Sequence, residues 1–112
     1  MDSTRQLKVS RLIQKELGSI FQKDAQSLFG SVMITVTQVR VSPDLGVAKV
    51  YVSLFPVKDK EAVLKLIKTK TAEIRKKLGN EIKKQVRVIP DLMFFLDDSI
   101  DYAEHIDKLL SK

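Results

Sequence analysis

The sequence predicts an α+β domain of two layers, a three-stranded sheet with helices packed against one of its faces. Three observations carry that prediction. Apolar residues recur at spacings of three and four over residues 9–21, at period two over residues 32–54, and at helical spacing again over residues 63–78. Turn chemistry separates the two period-two runs. The 112 residues, 44% of them hydrophobic, suffice for one domain with a real core and no metal or disulfide staple. We expect that domain to span 1–112, with about 1–110 ordered.

Ser3 followed by Gln6 reads as a capping box that opens the first helix. Val9, Leu12, Ile13, Leu17, Ile20 and Phe21 then form one apolar stripe, which ends before Gly30. Val32, Ile34 and Val36 alternate with threonines, and the alternation slips by one residue at Gln38 before resuming at Val39 and Val41. A one-residue slip exchanges the faces of a strand, so a bulge is expected near Thr37–Gln38. Ser42-Pro43-Asp44-Leu45-Gly46 supplies a turn, with Pro43 fixing one φ and Gly46 permitting a positive one. Ala48, Val50, Val52 and Leu54 then alternate through the second strand of an antiparallel hairpin.

Pro56 ends that strand and Asp59 is placed to cap the next helix. Val63, Leu66, Ile67, Ile74 and Leu78 give its expected buried stripe, with Lys65, Lys68, Lys76 and Lys77 on other faces. Gly79-Asn80 predicts a break, and Glu81 to Lys84 either a short turn or a continuation. Val88, Leu92, Phe94 and Leu96 share one parity, so a third strand is expected between Arg87 and Leu96, starting at an edge or carrying a bulge because of Pro90. Ser99 would cap a last short helix with Ile100, Ala103, Ile106 and Leu110 facing inward.

Charge is unevenly spread. Residues 58–90 hold eleven basic and four acidic groups, net +7, whereas residues 91–112 hold two and six, net −4. A polyanion would meet a basic face rather than a uniformly positive surface. No cysteine is present, which removes disulfides, cysteine-zinc sites and thiol nucleophiles. Arg5, Lys8, Arg11 and Lys15 interrupt the N-terminus, so no apolar signal-peptide core is read there. The longest apolar run, Leu92–Leu96, is far below the roughly 20 residues of a membrane span. A soluble, cytoplasmic protein is expected.

The order α-β-β-α-(α)-β-α resembles the type II KH arrangement. More specifically, the chain resembles the ribosome-binding factor A family over nearly its whole length. The resemblance rests on four blocks in order: Val41 to Ser53 across the hairpin; Ile74-Arg75-Lys76-Lys77-Leu78-Gly79; Ile89-Pro90-Asp91-Leu92-Met93-Phe94-Phe95; and Asp97-Asp98-Ser99-Ile100-Asp101. It implies a monomeric, non-enzymatic factor that binds the small ribosomal subunit and its 16S rRNA. Such a factor favours late maturation and 5′-end processing and supports growth in the cold, with no cofactor, metal, small-molecule substrate or membrane. Two departures bear on the site. The Gly-x-x-Gly loop of a KH domain is absent, and Lys70-Thr71-Ala72 stands where the family typically has an Ala-x-Gly kink. With alanine at that place the helix is expected to run straight through to Leu78.

The basic segment supplies a compatible mechanism. Lysine and arginine pair with phosphates and release counterions, which gives affinity with little sequence information. The candidate RNA-binding residues are Lys65, Lys68, Lys70, Arg75, Lys76, Lys83, Lys84 and Arg87, with Arg5, Lys8 and Arg11 as a second patch. Phe94 shares parity with Leu92 and Leu96 and reads as core, while Tyr51 and Phe95 fall on the other parity, where exposure is open. Rival classes have weaker support. His105 stands alone between Glu104 and Ile106 and reads as a surface residue, and Asp97-Asp98-x-x-Asp101 reads as helix capping rather than Mg²⁺ ligation. No P-loop occurs. Docking of the first helix on lipid would strip the sheet of its cover. A generic basic KH-like RNA-binding protein, not specific to the ribosome, is the nearest alternative.

Overall fold

The computed structural model describes residues 3–29, 32–55 and 57–97. In chain order these form α1 (Thr4–Phe29), β1 (Met33–Val41), β2 (Val47–Phe55), α2 (Lys60–Thr69), α3 (Thr71–Ile82) and β3 (Asp91–Leu96). The strands lie in the order β1-β2-β3, with β1 antiparallel and β3 parallel to β2. This is the expected two-layer α+β arrangement. The helix expected from Ser99 to Leu110 lies outside the described residues.

The capping box of α1 forms reciprocally: Ser3 Oγ accepts the Gln6 N–H at 3.1 Å, and Gln6 Oε1 accepts the Ser3 N–H at 2.8 Å. The Gln6 amide also donates to the Val41 carbonyl at 2.9 Å, which fixes the start of α1 to the end of β1. Val9, Ile13, Leu17, Ile20 and Phe21 are buried on the sheet side, with Leu12 packed at the margin. Phe21 meets Phe94 edge-on, ring centroids 6.1 Å apart, so α1 reaches across to β3.

The bulge falls where the parity slip placed it, between Val36 and Gln38. Thr37 is the extra residue, and the Gln14 amide donates to the Val36 and Thr37 carbonyls at 3.3 and 3.4 Å. The bulge lets Ile34, Val36, Val39 and Val41 all face the core. The turn forms where its chemistry placed it. Leu45, not Gly46, takes the left-handed backbone conformation at φ 61. Leu45 is held there because its side chain packs on the core and its N–H bonds the Ser42 carbonyl. Gly46 instead lies against Asp44, where an added Cβ would stand 3.3 Å from the carboxylate that accepts the Gly46 N–H.

The middle of the chain needs three corrections. The single helix expected through to Leu78 breaks at Lys70 into α2 and α3. Leu64 and Ile67 are the buried pair of α2, while Leu66 is 38% exposed, because α2 is phased by its own contact with the sheet. The break expected at Gly79-Asn80 does not occur: α3 continues to Ile82, which is fully buried and extends the Ile74–Leu78 stripe by one turn. At the third strand, Pro90 has no N–H for the ladder, so β3 starts after it at Asp91, whose N–H bonds the Gly46 carbonyl. Val88 lies outside the strand and is exposed.

Gly79 sits inside a helix with space beside it: an added Cβ would stand 3.4 Å from Ile89 Cγ1, an ordinary contact. Gly79→Ala should therefore stabilise the fold by about 0.5–1 kcal/mol. The check is urea denaturation, with a higher midpoint at unchanged slope expected. A lowered midpoint would show that Ile89 has no room to yield.

Candidate nucleic-acid interface

The helical kink forms without the family's glycine, and the neighbouring threonines explain how. Lys70 adopts φ −103 and ψ 11, a conformation open to any L-residue, and its N–H bonds the Ile67 and Lys68 carbonyls. The Thr69 hydroxyl donates to the Leu66 carbonyl at 2.7 Å and the Thr71 hydroxyl to the Ile67 carbonyl at 3.4 Å. Carbonyls orphaned at the end of α2 are thus satisfied locally. The Lys70 carbonyl then accepts the Ile74 N–H and starts α3.

Around this kink the candidate cations separate into groups. Lys65 and Lys68 are exposed one turn apart on α2. Lys70 is half-buried at the kink, and Lys76 and Lys83, seven residues apart at the same angular position, are exposed along α3 and just past its end. Lys84 and Arg87 are exposed in the segment that follows. Arg5, Lys8 and Arg11 are exposed at successive turns of α1, a different helix. Among the described residues, the side chains of these ten have no ion pair or hydrogen bond.

Arg75 is the exception. Its Nε donates to the Pro90 carbonyl at 3.1 Å and its terminal nitrogen to the Ile89 carbonyl at 2.6 Å, with Asp91 Oδ1 at 3.6 Å. The guanidinium therefore clamps α3 to the start of β3. Sequence spacing placed Arg75 among the outward cations but could not show which carbonyls would stand beside it. Arg40 and Lys49, outside the candidate set, stand directly opposite each other in the hairpin register and are exposed. Their shared polar parity was the available signal.

Phe94 is buried, as its parity indicated. Tyr51 and Phe95 stack on each other on the opposite face, centroids 5.4 Å apart at 28°, and both are half-buried. Of the Asp97–Asp101 cluster only Asp97 is described; its carboxylate accepts the Thr37 hydroxyl, while Asp98, Asp101 and His105 lie outside the described residues. Among the described residues no group of three histidine or acidic side chains could hold a metal, and no helix is long and apolar enough to cross a membrane. A cavity of about 710 Å³ between α1 and β1, lined by Gln14, Gly18, Phe21, Val32 and Ile34, offers only Lys15 as a charged group. Asp44 is held below the usual carboxylate range by the Ser42 hydroxyl, then by the Gly46 N–H, which stabilises the turn and not a reactive centre.

The αββααβ order with a kinked helical pair between β2 and β3 defines a two-layer, type II KH-like domain whose kinked pair carries unpaired cations. The chain belongs to the ribosome-binding factor A family, matching it over residues 5–110. It is 56% identical over 112 residues to ribosome-binding factor A of Cytophaga hutchinsonii, covering all of this chain and 84% of that one. The Christiangramia forsetii protein of the same name is 39% identical over 108 residues, 96% of this chain and 82% of that one. Among solved structures, the chain is similar to crystalline ribosome-binding factor A of Thermus thermophilus, with a TM-score of 0.68 and 22% identity over 81% of this chain and 94% of that one. The family is one of ribosome-binding factors, not of enzymes.

If Arg75 serves the fold, Arg75→Gln should cost about 1–2 kcal/mol, less than a fully buried charge-assisted pair because the side chain is 43% exposed. Lys76→Gln should change stability by less than about 0.5 kcal/mol. Thermal melts of the two variants separate these outcomes, and equal midpoints would remove the clamp.

Proposed function

We propose that this protein is a non-catalytic assembly factor that binds free small ribosomal subunits through their 16S rRNA. The observation that carries the reading is the set of ten exposed or half-buried lysines and arginines with no partner in the described fold. Cations left unpaired by the fold remain free to meet phosphates and release counterions. Lys65, Lys68, Lys70, Lys76, Lys83, Lys84 and Arg87 form the main contact; Arg5, Lys8 and Arg11 form a second patch, and Arg75 contributes by holding α3 in place. A Thermus thermophilus relative has been fitted, as a homology model, into a cryo-EM map of a complex of the 30S subunit with that factor; it shares 23% identity and a TM-score of 0.59 with this chain, over 88% of this chain and 97% of that one. That supports the same partner here. Acting in the cytoplasm as a monomer, with residues 1–112 as one RNA-binding domain, the protein would favour late maturation and 5′-end processing of 16S rRNA and growth in the cold. It needs no cofactor, because its work is to hold one RNA conformation by differential binding.

Sedimentation of the purified protein with small subunits, large subunits and assembled ribosomes tests this. Selective binding to free small subunits is expected, with log K falling by roughly 0.7–0.9 per phosphate contact against log salt. Joint reversal of Lys76, Lys83 and Lys84 to Glu should abolish co-sedimentation while leaving the melting temperature nearly unchanged. Equal, salt-sensitive binding to every RNA would instead describe a generic basic KH-like protein.

A further inference from the structure

The three helices cover one face of the sheet, and among the described residues nothing packs on the other. That open face has an ordered chemistry. Arg40 on β1 stands directly opposite Lys49 on β2, and Met93 on β3 flanks Lys49. Like charges directly opposite in an antiparallel pair weaken the sheet. Neither cation has an ion pair among the described residues, and the nearest acid of β3, Asp91, is already beside Arg75. The fold therefore bears a cost that an anion would relieve.

One row along, two residues or about 6.6 Å away, the Tyr51–Phe95 stack crosses from β2 to β3. Beyond it the register pairs Phe55, 58% exposed, with Met33, 60% exposed. Cations, a stacked aromatic pair and an exposed ring thus succeed one another along about 20 Å of the central strand. We infer that this open face is a second RNA-binding surface, for single-stranded RNA, with phosphate on Arg40 and Lys49 and unpaired bases stacked on Tyr51, Phe95 and Phe55. Basic groups beside aromatic platforms are the chemistry that holds single strands with little sequence preference. A protein partner could use the same aromatic and methionine groups but would have to bury Lys49 beside Arg40, whereas a phosphate relieves that repulsion. The surface lies across the sheet from the α2–α3 cations and stands or falls apart from them.

The test is titration of the full ¹⁵N-labelled chain with hexauridylate at about 0.15 M salt, where charges beyond about 8 Å are largely screened. Amide shifts are expected at Lys49, Tyr51, Phe55 and Phe95. Affinity should fall about tenfold in Tyr51→Leu and about as much in Phe55→Ser, whose exposed site keeps the fold safe. Lys23→Gln, at an exposed position of α1 to which no RNA contact is assigned, should stay within about twofold of the parent. Shifts confined to α2 and α3, or no binding, would overturn the inference and leave the subunit-sedimentation result untouched. Peroxide oxidation of the free protein adds a second reading. Met33 and Met93 should oxidise readily; protection would mean that residues 98–112 or a second copy already cover the face, and would also overturn it.

Discussion

Ala48, Val50, Val52 and Leu54 present one unbroken apolar face of the central strand, none of them more than 1% exposed. Every helix is placed by the need to cover that face. β1 joins through a hairpin and β3 through the long crossover that a parallel neighbour demands. The crossover is the α2–α3 pair, so the element that closes the core also carries the basic surface. Structure and electrostatics share one segment: its inner side is Leu64, Ile67, Ile74, Leu78 and Ile82, and its outer side carries Lys65, Lys68 and Lys76.

Three polar devices set the geometry around that core. Gln14 takes up the carbonyls at the Thr37 bulge, which corrects the parity of β1. Thr69 and Thr71 close the end of α2 and permit a kink where the family typically uses glycine. Arg75 binds two successive carbonyls ahead of β3 and thereby ties α3 to the approach of the parallel strand. In each case a side chain satisfies backbone groups that would otherwise be orphaned, at places where helix or ladder bonding is interrupted. The domain is thus regular where apolar periodicity holds and is held by single polar contacts where it fails.

The proposed partner binding draws on cations the fold leaves unused. A lysine with an intramolecular partner must give it up to meet a phosphate; one without starts from water alone. The division between Arg75 and the other candidate cations follows this rule: Arg75 stands beside open carbonyls and is taken by the fold, and the other candidates have no partner among the described residues. The two faces of the sheet differ in the same way. One parity is consumed by the core, and the other keeps its aromatic and basic groups at or near the surface.

Periodicity and cap chemistry in the amino-acid sequence determined α1 with its capping box, both hairpin strands, the bulge, the Asp59 cap and the basic character of the middle segment. These are local: each depends on residues within a turn or a strand of one another. The order of four sequence blocks also carried the family. Tertiary structure alone decided the rest. It kept Gly79 inside a helix because Ile82 is buried, and put Leu45 at positive φ because its side chain packs on the core. It also set Arg75 against Ile89 and Pro90, fourteen and fifteen residues along the chain, and Arg40 against Lys49. No local pattern encodes those outcomes, because each turns on which groups from distant segments arrive together when the core is buried.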